Sequence, residues 1–287
     1  MGTRSIAVLG LGGMGGGMAH ALLSAGFRVT VYNRTAAKAD SLVAAGASRA
    51  DSPAEAVADA DVVLISLADE RAVEEVLFGS VLGKLRPEQQ VIDTSTVSPD
   101  YARRAAQRLA EHGNSRVEAC VVGNPKMANS GQLRVFAAGE ESAVDSVRDV
   151  LDAIGQQVRY LGAPGTASSL KLAFNLMLGV QTAGLAEALN FTEASGLDRE
   201  LVVGALRDMA WGAFALGFRA DFMLERSYRP AGFRSVLMHK DLRLAAQESA
   251  ALDVSLPLVE QAALQYESVI SAGRGDEDAA VVLEKRD

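Results

Sequence analysis

Lys171 and Asn175 stand four residues apart in a stretch of helical pattern, so their side chains share one helix face. A lysine so placed can give a proton or a hydrogen bond to a carbonyl oxygen or imine nitrogen as hydride arrives. The adjacent amide can fix a second polar group of the same substrate. Alone, the pair reads more simply as a surface lysine and a helix asparagine. It acquires meaning only if the chain also binds a hydride donor.

The N-terminal stretch supplies that possibility. Gly10, Leu11, Gly12, Gly13, Met14 and Gly15 spell G-x-G-x-x-G. An apolar run, Ile6 to Leu9, precedes them and reads as a buried parallel strand. A helical pattern through Met18, Leu22 and Leu23 follows and stops at Gly26. Val29 to Tyr32 makes a second strand. Gly10 permits a tight turn, Gly12 lets backbone approach a pyrophosphate, and Gly15 lets helix pack on strand. The helix N-terminus then offers free N–H groups to phosphate. The spacing and its flanks predict a dinucleotide site.

The end of the second strand selects the dinucleotide. Asp or Glu there takes ribose hydroxyls in NAD sites and repels the 2′-phosphate of NADP. This chain has Asn33, Arg34 and Thr35, with Lys38 a turn later. Arg34 can pair with phosphate in a fork, and Asn33 and Thr35 can hydrogen-bond to it. The alternative is a solvated Arg34 and a Thr35 that only caps a helix. The set predicts NADP(H).

The elements that must position these groups alternate through residue 162. Helical residues 36–45 and a short helix near 55–58, opened by Ser52-Pro53, precede a buried strand, 62–65. Leu67 and Ala68 lie at its carboxyl end, where ligands sit in doubly wound sheets. A helix over 70–78 leads to the strand 91–93, with Thr96 beyond its end as a further cofactor candidate. Ser98-Pro99 opens a helix to about His112, with Ser98 as its cap. A strand over 116–122 runs into the turn Gly123-Asn124-Pro125. Strand 133–138, helix 140–154 and strand 158–161 complete an α/β Rossmann domain, a doubly wound and mostly parallel sheet, over 1–162.

Residues 163–287 contain no further strand candidate. Positions 165–195 can form one helix of about 30 residues, roughly 45 Å long. Helical segments near 198–209, 213–226, 235–252 and 256–272 follow. This predicts an all-α C-terminal domain behind a long interdomain helix. Leu170, Phe174, Met177, Leu178, Leu185 and Leu189 give that helix much apolar surface. A homodimer or dimer of dimers would cover it, and a self-contained bundle is the alternative. Trp211, Phe214 and Phe218 read as core, although Trp211 beside Gly212 can wall a substrate pocket.

Composition excludes several classes. Apolar residues are 49% and charged residues 22% of 287, as in ordinary globular domains. A net charge of −8 argues against nucleic acid and anionic membrane partners. No apolar run approaches the ~18–20 residues that span a bilayer. Cys120 is the sole cysteine, which excludes an internal disulfide and suits a reducing cytoplasm. It reads as a buried strand thiol. The N-terminus enters a strand without a leader pattern, again predicting a cytoplasmic protein. His20, His112 and His239 show no metal-ligand spacing, so no metal is expected.

Several motifs together resemble the β-hydroxyacid dehydrogenase family. They are GLGGMG at 10–15, Gly162-Ala163-Pro164-Gly165 followed by Lys171 and Asn175, His239-Lys240-Asp241-Leu242, Asp253 to Leu258, and Gly273 to Asp278. They fall in the family's order along essentially the whole chain. The resemblance implies a Rossmann domain joined to a helical domain, and a dimer or tetramer. It implies NADPH-dependent reduction of a small aldehyde or keto acid. Lys171 would be the proton donor, and Asn175 would position it and the substrate. Lys240 would reach cofactor or substrate, Leu67, Ala68 and Thr96 would line the cofactor site, and Gly123 would lie in the substrate loop.

The loop departs from the family's D-A-P-V-S-G-G. It reads Glu118-Ala119-Cys120-Val121-Val122-Gly123-Asn124, and Val122 stands where a serine would bind the substrate acid. Valine has no donor for a carboxylate. Asn124-Pro125 resembles the loop of imine reductases, which predicts C=N reduction as the alternative. Those enzymes commonly carry Asp or Tyr at the position of Lys171. Semialdehyde and glyoxylate reductases also have Gly-Asn in this loop. A non-catalytic NADPH-binding protein is the third reading, and the presence of both Lys171 and Asn175 speaks against it.

Overall fold

The computed structural model describes residues 4–87, 89–194, 196–208, 214–251 and 256–284. The chain divides between Lys171 and Leu172 into two compact units. The first unit is built on one eight-stranded sheet. Its strands are β1 (Ser5–Leu9), β2 (Arg28–Tyr32), β3 (Ser48–Arg49), β4 (Val62–Ile65), β5 (Gln90–Asp93), β6 (Ser115–Val122), β7 (Leu133–Ala138) and β8 (Gly155–Tyr160). Their spatial order is β3-β2-β1-β4-β5-β6-β7-β8, and all neighbours are parallel except β6 and β7.

The apolar runs are buried on both faces because helices cover both sides of the sheet. Ile6 and Val8 of β1 join one core, while Ala7 and Leu9 join the other. Helix Gly13–Ser24 packs on the first of these through Met18, Ala19 and Leu22. Ser52 and Ser98 cap their helices as the sequence predicts, accepting from Glu55 N at 3.1 Å and Tyr101 N at 3.2 Å.

Several boundaries differ from the sequence reading. β3 is a two-residue exposed edge pairing that carries no apolar alternation. The segment read as a helix over 70–78 is α-helical over Glu70–Val73 and π-wound over Glu74–Val81. The helix read over 140–154 breaks at Val147 into Glu141–Ser146 and Arg148–Ile154. β8 begins three residues early, at Gly155, where a Cβ would come within 2.5 Å of Val135 Cγ2. The glycine lets the strand lie close to β7.

A buried charge cluster ties β5 and β6 to the next element. Asp93 of β5 and Glu118 of β6 are register partners, which would set two carboxylates side by side. Arg116 sets its one positive charge between them. Its Nη2 is 2.6 Å from Asp93 Oδ2, its Nη1 is 3.6 Å from Glu118 Oε1, and all three side chains are buried. Burial opposes the Arg116 charge, but the two carboxylates outweigh it and raise its pKa. Glu118 also accepts from Gly165 N, from Ser168 N at 3.0 Å and from Ser168 Oγ at 3.1 Å. These donors form the start of the helix Thr166–Ala194.

The second unit is helical. It contains most of Thr166–Ala194, then Arg199–Asp208, Phe214–Glu225, Ser235–Ala251 and Pro257–Ser271. Among the described residues no strand follows β8. A 3-10 segment not foreseen from sequence, Ala279–Glu284, seals the core with buried Ala279 to Leu283. Asp278 holds it in place by accepting from Gly232 N and Phe233 N, both at 3.0 Å, and Ala280 N at 2.9 Å. At Gly179 the long helix meets Met238 and Leu242, each within 2.9 Å of where a Cβ would stand. Among the described residues no helix is long and apolar enough to cross a membrane.

Removing Glu118 leaves Arg116 paired with Asp93 but takes the acceptor away from Gly165 N, Ser168 N and Ser168 Oγ. Glu118→Ala should lower the unfolding free energy by roughly 3–5 kcal/mol, read from urea denaturation. A loss under about 1 kcal/mol would mean that the cluster is not the anchor described.

Candidate active site

The glycine turn has a distinct geometry at each position. Gly10 adopts φ +95°, and a Cβ there would lie 2.3 Å from Ser66 O. Gly15 is packed so closely that a Cβ would lie 2.0 Å from Gly10 O. At Gly12 a Cβ would meet no heavy atom within 4 Å, and Gly12 and Gly13 are exposed. The turn is therefore closed toward the sheet and open where the helix Gly13–Ser24 starts. Its first N–H groups have no partner inside the helix. This is a cradle of the right shape and polarity for a pyrophosphate.

Asn33 braces the turn. Its Oδ1 accepts from Leu11 N at 2.9 Å and its Nδ2 donates to Thr35 O at 3.0 Å. The amide expected at the cofactor thus also holds the turn. Arg34, Thr35 and Lys38 are exposed. Thr35 is the N-cap residue of a 3-10 turn, Ala36–Ala39, but its side chain makes no cap bond. Arg34 and Lys38 form no ion pair among the described residues. No carboxylate stands at the end of β2, so the residues present fit a 2′-phosphate.

Leu67 packs against Gly10, where its Cδ2 is 2.9 Å from a Cβ built on the glycine. Its N–H donates to Ser95 Oγ at 3.0 Å. Ala68 is exposed and Thr96 half-buried just past the ends of β4 and β5. The Thr94 hydroxyl is engaged by Ile65 O at 2.9 Å. Thus Thr94 and Ser95 brace the strand ends.

The loop after β6 adjoins the turn. Pro125 Cγ stands 3.0 Å from where a Cβ on Gly13 would be. Asn124 is the N-cap of the helix Pro125–Asn129, its Oδ1 accepting from Met127 N at 3.0 Å. Lys171 Nζ donates to Val121 O at 2.8 Å. The first unit therefore brings together the glycine turn, the β4 and β5 ends, the Val122–Asn124 loop and Lys171. Cys120 is buried beneath this loop. Burial, reinforced by Glu118, pushes its thiol up to about 12, so it stays neutral and is no nucleophile.

Asn175 and Lys240 belong to a cluster in the second unit. Asn175 Nδ2 donates to Asp241 Oδ2, and Lys240 Nζ is 2.9 Å from Asp241 Oδ1. Asn175 and Asp241 are both buried. Asp241, within the His239–Leu242 motif, is a member of the cluster that the motif does not single out. Its signal was a carboxylate beside a lysine in a helix that otherwise buries apolar side chains. Trp211 lies outside the described residues, as does much of the 253–258 motif.

Residues 5–162 match the family model described as the NAD binding domain of 6-phosphogluconate dehydrogenase. Residues 165–285 match that for the NAD-binding domain of NADP-dependent 3-hydroxyisobutyrate dehydrogenase. The chain belongs to the β-hydroxyacid dehydrogenase family. It is an NAD(P)-dependent oxidoreductase, and its cofactor is NADP(H). The chloroplastic glyoxylate/succinic semialdehyde reductase 2 of Arabidopsis thaliana is 33% identical over 291 residues, spanning 99% of this chain and 80% of that one. A 3-hydroxyisobutyrate dehydrogenase from Salmonella typhimurium superposes with a TM-score of 0.92 at 28% identity, covering 98% and 99% of the two chains. A Streptomyces aurantiacus imine reductase superposes with a TM-score of 0.68 at 26% identity, covering 99% and 100%.

The glycine geometry separates folding from binding in this dehydrogenase. Gly15→Ala should lower the melting temperature, because a Cβ has no room beside Gly10 O. Gly12→Ala should leave the melting temperature within a degree or two of wild type and weaken NADPH binding by about tenfold or more, read by fluorescence titration. Equal effects of both substitutions on melting would contradict this division.

Proposed function

We propose that this dehydrogenase uses NADPH to reduce the carbonyl of a small aldehyde or keto acid of the semialdehyde type, with Lys171 as proton donor. The observation that carries the reading is the place of Lys171. Its ammonium is held at the Val121 carbonyl near the end of β6, the strand whose following loop adjoins the dinucleotide turn. NADPH, when bound, supplies hydride to the carbonyl carbon. The Lys171 ammonium stabilises charge on the carbonyl oxygen and gives it the proton, leaving an alcohol.

The remaining roles follow the chemistry of each group. Residues 10–15 take the pyrophosphate, Arg34 and Lys38 take the 2′-phosphate, and Asn33 and Thr35 shape that end of the site. Leu67, Ala68 and Thr96 line the cofactor side, and Val122, Gly123 and Asn124 the substrate side. Asn175 and Lys240 act from the helical region, oriented by Asp241. Residues 1–162 serve as the NADP-binding domain and 163–287 as the substrate and dimerisation domain. The protein works in the cytoplasm as a homodimer or dimer of dimers. Exposed Met177, Leu258 and Leu264 support that assembly.

Reduction of a C=N bond is the second reading, favoured by Val122, which has no donor for a substrate acid. The resemblance of Asn124-Pro125 to the imine reductase loop favours it too, and in this chain the pair starts a helix.

NADPH oxidation against a panel of semialdehydes, glyoxylate, keto acids and cyclic imines tests the proposal. Turnover of carboxylate-bearing aldehydes is expected, and turnover of imines alone would replace the first reading by the second. Lys171→Ala should cut kcat by about 10²–10⁴-fold with NADPH affinity nearly intact. A full rate in that variant would remove Lys171 from the chemistry. Arg34→Ala should raise KM for NADPH about tenfold or more and leave KM for NADH little changed. Equal changes would sink the phosphate role.

A further inference from the structure

Val122 leaves the end of β6 without a hydrogen-bond donor, but its partner on β7 has several. The two strands are antiparallel and Val122 pairs directly with Arg134. Paired residues project on the same face, with Cβ atoms about 4.5–5.5 Å apart. The row they end can be followed residue by residue. Glu118 pairs with Ala138 and holds Gly165 and Ser168. Cys120 pairs with Phe136 and packs with Ala167. Alternation then sets Val122 and Arg134 next on the face that receives the start of the long helix. The opposite face carries Leu133, Val135 and Ala137 in the main core.

Lys171 reaches the same end of the row. Its Nζ is 2.8 Å from Val121 O, one residue from Val122. Arg134 is exposed, and among the described residues its side chain forms no ion pair or hydrogen bond. It is thus a cation on the side of the sheet where Lys171 stands, with its donors uncommitted. A guanidinium offers a planar fork that matches a carboxylate with two parallel hydrogen bonds.

We infer that Arg134 is a specificity-determining residue that takes the substrate's carboxylate, so that anion recognition sits on β7 and not on β6. This rests on the proposed reduction of a carboxylate-bearing carbonyl compound and names how the acid is held. Val122 then packs against the substrate's carbon chain, Lys171 meets the carbonyl oxygen, and Arg134 meets the acid.

Two measurements test it, and only one requires turnover. Succinate, a dicarboxylate that cannot be reduced at this site, is titrated calorimetrically into the NADP+-loaded protein. Arg134→Ala should weaken succinate binding at least tenfold, Arg134→Lys should lose less, and NADP+ affinity should not move. In turnover, Arg134→Ala should raise KM for succinic semialdehyde at least tenfold, with kcat and the KM for butanal nearly unchanged. Failure of the wild type to bind succinate, an unchanged succinate affinity in Arg134→Ala, or an equal rise in KM for butanal would overturn the assignment. If the wild type reduces only imines, the proposed function fails, and the succinate titration still decides the role of Arg134.

Discussion

The buried carboxylate of Glu118 is the constraint on which the start of the long helix, and with it the place of Lys171, depends. It caps a 29-residue helix from outside, across a sequence separation of 47 to Gly165 and 50 to Ser168. Helix starts expose unpartnered N–H groups and a positive dipole end, so a carboxylate there is favourable twice over. Its burial costs several kcal/mol unless the charge is paired, and Arg116 supplies the pairing while also serving Asp93. The cap fixes where the helix begins and how it is rotated. Lys171 lies three residues beyond Ser168, so its direction is set by the same bond. The strand that carries Glu118 also offers the Val121 carbonyl to the lysine. One strand thereby fixes the helix and receives its lysine.

What was legible in the sequence is what is local. The strands β1, β2, β4 and β5 are short apolar runs, and runs of that kind need no knowledge of their neighbours. The glycine turn was legible because its steric demands are made within a few residues, as the close approach of Gly15 to Gly10 shows. Ser52-Pro53 and Ser98-Pro99 announced their helices for the same reason. The π-wound stretch Glu74–Val81 was not legible, since its composition is that of an ordinary helix and only packing selects the wider winding.

The less legible features are partnerships over long separations. Nothing near Glu118 in sequence says that it will cap residue 165. Nothing near Asp241 says that it will accept from Asn175, 66 residues away. The antiparallel turn of β7 decides that Arg134 stands beside Val122, and the apolar pattern of 133–138 is the same for either direction. Asn33 and Asn124 have local partners that a ligand motif does not announce. Each sits in a motif that suggests ligand contact, and each uses its amide oxygen to complete the backbone around it. Asparagine is common at such places because its short amide can satisfy a nearby N–H.

The Asn175–Asp241 bond also constrains the chemistry. Asp241 is a carboxylate and can only accept, so the Asn175 nitrogen must face it. The amide oxygen is therefore turned away from Asp241 and is the group left to act. An oxygen acceptor suits an ammonium or an alcohol, both of which donate, and does not suit the oxygen of a carbonyl substrate. Asn175 thus presents an acceptor, able to take a hydrogen bond from an ammonium or a hydroxyl. Because Lys240 shares the same carboxylate, loss of Asp241 would free both groups at once. Asp241 thus holds two side chains of its own unit in place.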